Sequence, residues 1–117
     1  MAQETLDDLL KRYNQNSVSY ISVTELRRLQ FNENITLFDG REKYEFDVSH
    51  IPNADHIGYN DFSLEAISDT YPEKETPIVV YCTVGIRSEE ICKKLIDAGY
   101  SDVKNLYGGI CEWKNNQ

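Results

Sequence analysis

Positive charge is scarce in this chain: 12 Lys and Arg stand against 20 Asp and Glu, for a formal net charge of -8 and a sequence pI near 4.7. That balance excludes a generic nucleic-acid surface, because phosphate binding needs clustered cations, so any anion site has to be local. Cysteine is scarce as well. Cys82, Cys92 and Cys111 lie ten and nineteen positions apart with no Cys-x-x-Cys, which excludes a disulfide framework and, without a His/Cys grouping, a zinc site. No apolar run approaches the roughly 20 residues of a membrane span. The N-terminus, MAQETLDDLLKR, lacks the basic and apolar regions of a secretory leader. A soluble, cytoplasmic protein with reduced thiols is expected, with no metal, no nucleic-acid partner and no membrane. Repeats, low-complexity tracts and interdomain linkers are also missing. The 117 residues, 40% hydrophobic and 27% charged, suit one globular domain with a real core.

The apolar spacing supplies the elements. ETLDDLLKRYN sets Leu6, Leu9, Leu10 and Tyr13 at helical intervals, which predicts an amphipathic N-terminal helix. YISVTELRRLQ reads as a short strand and then a helix with Ser22 and Glu25 as its capping box. NITLFDGREKYEF repeats the alternation, with a strand over Ile35 to Phe38 and Asp39 with Glu42 as a second box. ADHIGYNDFSLEAISDTY adds a third short strand and a helix through Leu64, Ile67 and Ser68. TPIVVYC is the clearest strand, since Ile78, Val79, Val80 and Tyr81 are consecutive and β-favouring. SEEICKKLIDAGY is the clearest helix, starting near Ser88 and closed by Gly99 at C′. DVKNLYGGICEWKNNQ gives a last strand, a Gly-Gly turn and a short helix. Five strands interleaved with helices predict an α/β protein: three layers, α/β/α, around a mostly parallel five-stranded sheet. Residues 1–18 form an N-terminal helix packed on the domain, and 19–117 form the domain itself.

Ligands of open α/β sheets sit beyond the carboxyl ends of the strands, and Cys82 lies at that edge, just after Tyr81. Thr83, Val84, Gly85 and Ile86 lead from it straight into a helix, so backbone N–H groups can turn inward around the sulfur. Such a nest at a helix N-terminus stabilises negative charge and makes a thiol nucleophilic. Gly85 permits a tight turn with positive φ. Arg87 can offer its fork to an oxyanion or add positive potential. A lone cysteine after a buried strand is ordinarily a small hydrophobe. The cluster Cys-x-x-Gly-x-Arg-Ser sets Cys82 apart, whereas Cys92, on a helix face with Leu95 and Ile96, and Cys111 read as packing residues. His50 reads as a buried, hydrogen-bonded turn residue rather than a general base for Cys82. Trp113 and Gly108-Gly109 read as a core anchor and a turn.

Four segments, in order, resemble the rhodanese family of single-domain sulfurtransferases: LFDGREKYEF with Asp39 and Arg41, SHIPNA, CTVGIRS, and GGICEW ending in Trp113. The resemblance runs from about Tyr20 to Trp113. It implies the five-stranded rhodanese sheet, a persulfide carried on Cys82, a sulfur-binding cradle from Cys82 to Arg87, and no cofactor. It also brings Asp39 and Arg41 to the neighbouring strand end as supporting residues; the bare residues read equally well as a helix cap and the partner of a nearby carboxylate. Ser49, Asn53 and Gly58 depart from the family's usual glycine, glycine and proline, the first two by turn-compatible residues. Glu89 and Glu90 stand where small apolar residues are usual; in the first turn of the helix they favour its dipole and screen the anion site.

The expected activity is therefore transfer of sulfane sulfur from thiosulfate, a polysulfide or a persulfide to a thiophilic acceptor: cyanide, a thiol or an acceptor protein. Two rivals remain open. One is a cysteine-dependent phosphatase or arsenate reductase, since dual-specificity phosphatases resemble this architecture. The other is a non-catalytic rhodanese-like module that binds a partner protein. The loop from Cys82 to Arg87 has six residues, one fewer than the phosphatases it resembles, which implies a cradle sized for one sulfur atom rather than a phosphoryl group.

Overall fold

The computed structural model describes residues 5–14 and 18–116. In chain order it contains α1 (Leu6–Tyr13), β1 (Ser19–Ile21), α2 (Val23–Phe31), β2 (Thr36–Asp39), α3 (Lys43–Val48), β3 (Asp55–His56), α4 (Leu64–Thr70), β4 (Ile78–Tyr81), α5 (Ile86–Asp97), β5 (Val103–Leu106) and α6 (Gly109–Asn115). The strands form one sheet of order β1-β5-β4-β2-β3. Every pairing is parallel, where a mostly parallel sheet was expected. Among the described residues no helix is long and apolar enough to cross a membrane. The side chain of Tyr13, assigned to the apolar face of the first helix, lies outside the described part.

Strand side chains alternate between faces, and the core divides accordingly. Phe38, Ile78 and Val80 pack on one face with Ile67 of α4 and Ile91, Cys92 and Leu95 of α5. Leu37, Val79 and Tyr81 pack on the other with Leu26 of α2 and Ile110 and Trp113 of α6. β4 is buried along its whole length because both its faces are covered, which is why it reads as an unbroken apolar run. Its carboxyl end, where Cys82 follows, lies between the ends of β2 and β5, at the centre of the sheet's edge.

Several caps differ from expectation. Asp39 does not cap α3. β2 continues through Asp39, which pairs with Tyr81 across the sheet, and the Asp39 carboxylate turns back onto the amide of Arg41 at 2.9 Å. The helix therefore begins later, capped at Glu42, whose N–H donates to Glu45 Oε1 at 3.2 Å. Ser22 does cap α2, accepting from the Glu25 amide at 3.1 Å, but the Glu25 side chain pairs with Arg28 instead of closing the box. α5 starts at Ile86 rather than Ser88, because Gly85, at φ +116°, is its N-cap.

Candidate active site

Cys82 is 1% exposed, and its sulfur is the focus of three donors. The amide of Gly85 lies 3.2 Å from Sγ, the amide of Ser88 3.4 Å and the Ser88 hydroxyl 3.3 Å. Their inward direction has a visible cause. The carbonyl of Cys82 accepts from the Ile110 amide at 3.0 Å and that of Thr83 from the Cys111 amide at 3.2 Å, so the first turn of α6 holds the loop's oxygens away from the sulfur. This close contact is possible because residue 109 is glycine: a Cβ there would lie 2.5 Å from the carbonyl oxygens of Cys82 and Thr83.

Behind the sulfur runs a buried polar network. The Ser88 hydroxyl also reaches Asn105 Oδ1 at 2.6 Å. Asn105 Nδ2 donates to the Gly85 carbonyl at 2.9 Å and to Glu89 Oε1 at 3.2 Å, which fixes the orientation of the amide. Asn14, just after α1, donates to the same Gly85 carbonyl at 3.1 Å and to Tyr20 Oη at 2.8 Å. Glu89, expected with Glu90 to screen the anion site, is thus 2% exposed and turned inward onto Asn105; Glu90 is exposed and accepts from the Tyr59 hydroxyl.

Arg87 reaches the loop from α5, but its fork is already engaged. Nη1 lies 2.8 Å from Glu45 Oε1 and Nη2 3.1 Å from Oε2, while Nη2 also donates to Thr83 Oγ1 at 2.8 Å. The Arg87 hydrogen bonds are the main reason the Glu45 carboxyl is lowered to about 2, partly opposed by burial and helped by the Glu42 amide. The Arg87 guanidinium is raised in turn, first by Glu45, against burial, with the Cys82 sulfur adding to the effect. The cation is therefore paired with a carboxylate and tied to the loop through Thr83.

Thr83, Gly85 and Arg87 thus meet around Cys82, with Val84 and Ile86 completing the backbone. Asp39 and Arg41 sit apart. Arg41 Nη2 lies 2.7 Å from Asp39 Oδ2 and 2.7 Å from the Ser49 carbonyl, and the Tyr81 hydroxyl donates to Asp39 at 2.7 Å while accepting from the Ile51 amide at 3.1 Å. This buried pair ties the end of β2 to β4 and to the SHIPNA turn. His50 is exposed, not buried: Nδ1 donates to the Phe46 carbonyl at 3.0 Å and the ring stacks on Phe46. Cys111 is exposed rather than packed, because the adjacent Ile110 and Trp113 take the inward face of α6. Cys92 is buried as expected, and burial pushes its thiol well up. Three residues of the site escaped the sequence reading: Glu45, Ser88 in its donor role, and Asn105. Ser88 was signalled by its place at the helix start; Glu45 and Asn105 are 42 and 17 positions from their partners and carried no local sign.

Fold and site together define an α/β protein whose central strand delivers a buried cysteine into a strand-to-helix nest. The chain belongs to the rhodanese-like domain family, whose pattern matches residues 22–116. Thiosulfate sulfurtransferase GlpE of Coxiella burnetii is 33% identical over 94 residues, which cover 80% of this chain and 85% of that protein. The tRNA uridine(34) hydroxylase of Listeria welshimeri is 35% identical over 104 residues, 85% of this chain but 32% of the hydroxylase, so this chain spans about a third of that relative's length. The human single-domain sulfurtransferase TSTD1 has a similar structure, with a TM-score of 0.74 at 25% identity over 86% of this chain and 99% of that one.

Proposed function

We propose that this protein is a sulfurtransferase that carries sulfur as a Cys82 persulfide. The observation that carries the reading is the convergence of the Gly85 and Ser88 amides and the Ser88 hydroxyl on one buried sulfur, in a loop that Arg87 braces through Thr83. In the first half-reaction the Cys82 thiolate attacks the outer sulfur of a donor such as thiosulfate. The donor's sulfur–sulfur bond breaks, sulfite leaves with its electron pair, and Cys82-S-S⁻ remains. In the second, cyanide or a thiolate attacks the terminal sulfur and Cys82 thiolate is expelled. Donors already aimed at the sulfur need little reorganisation as charge moves outward by one atom, which is how such a cradle lowers the barrier. The likeness to GlpE and TSTD1, proteins of similar length named as sulfurtransferases, supports the same reading.

Intact mass after thiosulfate treatment without reductant tests it. The expected result is a gain of one sulfur atom, lost again on adding cyanide and absent in Cys82→Ser. Aryl phosphate hydrolysis that depends on Cys82, with no persulfide formed, would favour the phosphatase reading instead.

A further inference from the structure

The notable feature of Arg87 is that its charge is not free. Glu45 meets the guanidinium with both oxygens, at 2.8 and 3.1 Å, and the two side chains are only 27% and 21% exposed. The geometry is over-determined: Thr83 Oγ1 lies 2.8 Å from Nη2 and 3.4 Å from Glu45 Oε2, and the Glu42 amide holds Oε1 from behind. A side chain with this many donors stays ionised, so the pair is electrically closed. Arg41, the other arginine at this edge of the sheet, is paired as well, with Asp39, and of the two carboxylates that follow Arg87 on α5, Glu90 is exposed while Glu89 is buried against Asn105. On a chain of net charge -8, an incoming dianion therefore meets a neutral pair beside the loop amides, where an unpaired arginine would have added its attraction to theirs.

We propose that Glu45 is the specificity-determining residue of this site: by neutralising Arg87 it directs the sulfur cradle toward donors whose non-reacting end is cationic or uncharged, and against anionic ones. The inference rests on the sulfur-transfer reading and names its substrate class as small or peptide-borne persulfides with a positive or neutral flank. In each case the Cys82 thiolate attacks the terminal sulfur of R–S–SH, the donor's sulfur–sulfur bond breaks, RS⁻ leaves with the electron pair, and the new sulfur–sulfur bond forms at Cys82.

The test uses three hydropersulfides of nearly equal size, prepared from 2-aminoethanethiol, 2-mercaptoethanol and 3-mercaptopropionate, with thiosulfate as a fourth donor. The rate at which Cys82 gains one sulfur is measured for each by mass. The expected order is cation, neutral, anion, with about a tenfold span between the first and last, the size of one screened charge contact. Glu45→Gln keeps an acceptor for Arg87 but removes the charge; it should reverse the order and raise the thiosulfate rate about tenfold. Raising salt with the unmodified protein should shrink the span toward unity, a readout that needs no variant to fold. An unmodified protein that treats the three donors alike or prefers the anion overturns the proposal, as does an unchanged order in Glu45→Gln. Absence of a persulfide with every donor would instead overturn the sulfur-transfer reading, and this inference with it.

Discussion

At the scale of single residues, the Ser88 hydroxyl has one hydrogen and two acceptors, Cys82 Sγ at 3.3 Å and Asn105 Oδ1 at 2.6 Å. Because the Asn105 amide nitrogen is engaged by Gly85 and Glu89, its oxygen has to face Ser88, and the hydroxyl's contribution to the sulfur is a shared one. Ser88→Ala should lower sulfur transfer about tenfold, a charge-assisted hydrogen bond being worth roughly 1.5–3 kcal/mol before sharing. A folded Ser88→Ala protein with the parent rate in a thiosulfate–cyanide assay would remove the Ser88 hydroxyl from the cradle and leave only its amide there. Two glycines give a second prediction. Gly85, at φ +116°, has room for a Cβ, with the nearest atom 3.6 Å away, so Gly85→Ala incurs only backbone strain of about 1–2 kcal/mol. Gly109, at φ +60°, adds contacts of 2.5 Å with carbonyl oxygens that α6 must grip. Gly109→Ala should therefore be the more damaging by at least about 2 kcal/mol in chemical denaturation, and equal losses would refute the packing argument.

At the scale of elements, the sulfur loop is held by four of them: β4 delivers it, α5 leaves it, α6 takes its carbonyls, and α1 presses on its turn through Leu10 and Asn14. Much of this was legible. Four consecutive β-favouring residues before Cys82 marked a strand covered on both faces, Gly85 marked a tight turn with positive φ, and Gly99 marked the end of α5, because a positive φ is cheap only for glycine. What local pattern missed was decided by distant partners. Asp39 resembled a cap by its spacing to Glu42, but a buried arginine two residues on claimed its carboxylate. Glu45 resembled any acidic residue of a helical first turn until α5 brought Arg87 to it. Nothing nearby told which side of α6 Cys111 would take. The contact of α1 yields a prediction at this scale: Asn14→Ala frees the Gly85 carbonyl from one of its two donors and should lower Tm by about 4 °C, the effect of roughly 1 kcal/mol in a domain of this size, while slowing sulfur transfer. A lowered Tm with an unchanged rate would make α1 a stabilising element only.

At the scale of the whole molecule, acid stability depends on groups that fold into ion pairs, and Glu45 links α3 to α5 across 42 positions of chain. Its carboxyl is lowered from 4.5 to about 2, chiefly by the Arg87 hydrogen bonds. A depressed carboxyl binds fewer protons in the folded than in the unfolded state, so its stabilisation is fully present above about pH 4.5 and is lost as pH falls toward 2. The shift corresponds to roughly 3 kcal/mol at most, and partial exposure of the pair reduces that to about 1–2 kcal/mol. Net charge confounds a bare acid titration, because the other carboxylates of this acidic chain protonate over the same range and first relieve, then reverse, its self-repulsion. The difference between the parent and Glu45→Gln removes most of that common background, since the two share every other carboxyl group. The Tm gap between them should be widest near neutral pH, narrow as pH falls below about 4.5, and close near pH 2. A gap that stays constant from pH 6 to pH 2.5 would show that Glu45 acts through packing, and that its charge adds nothing to the fold.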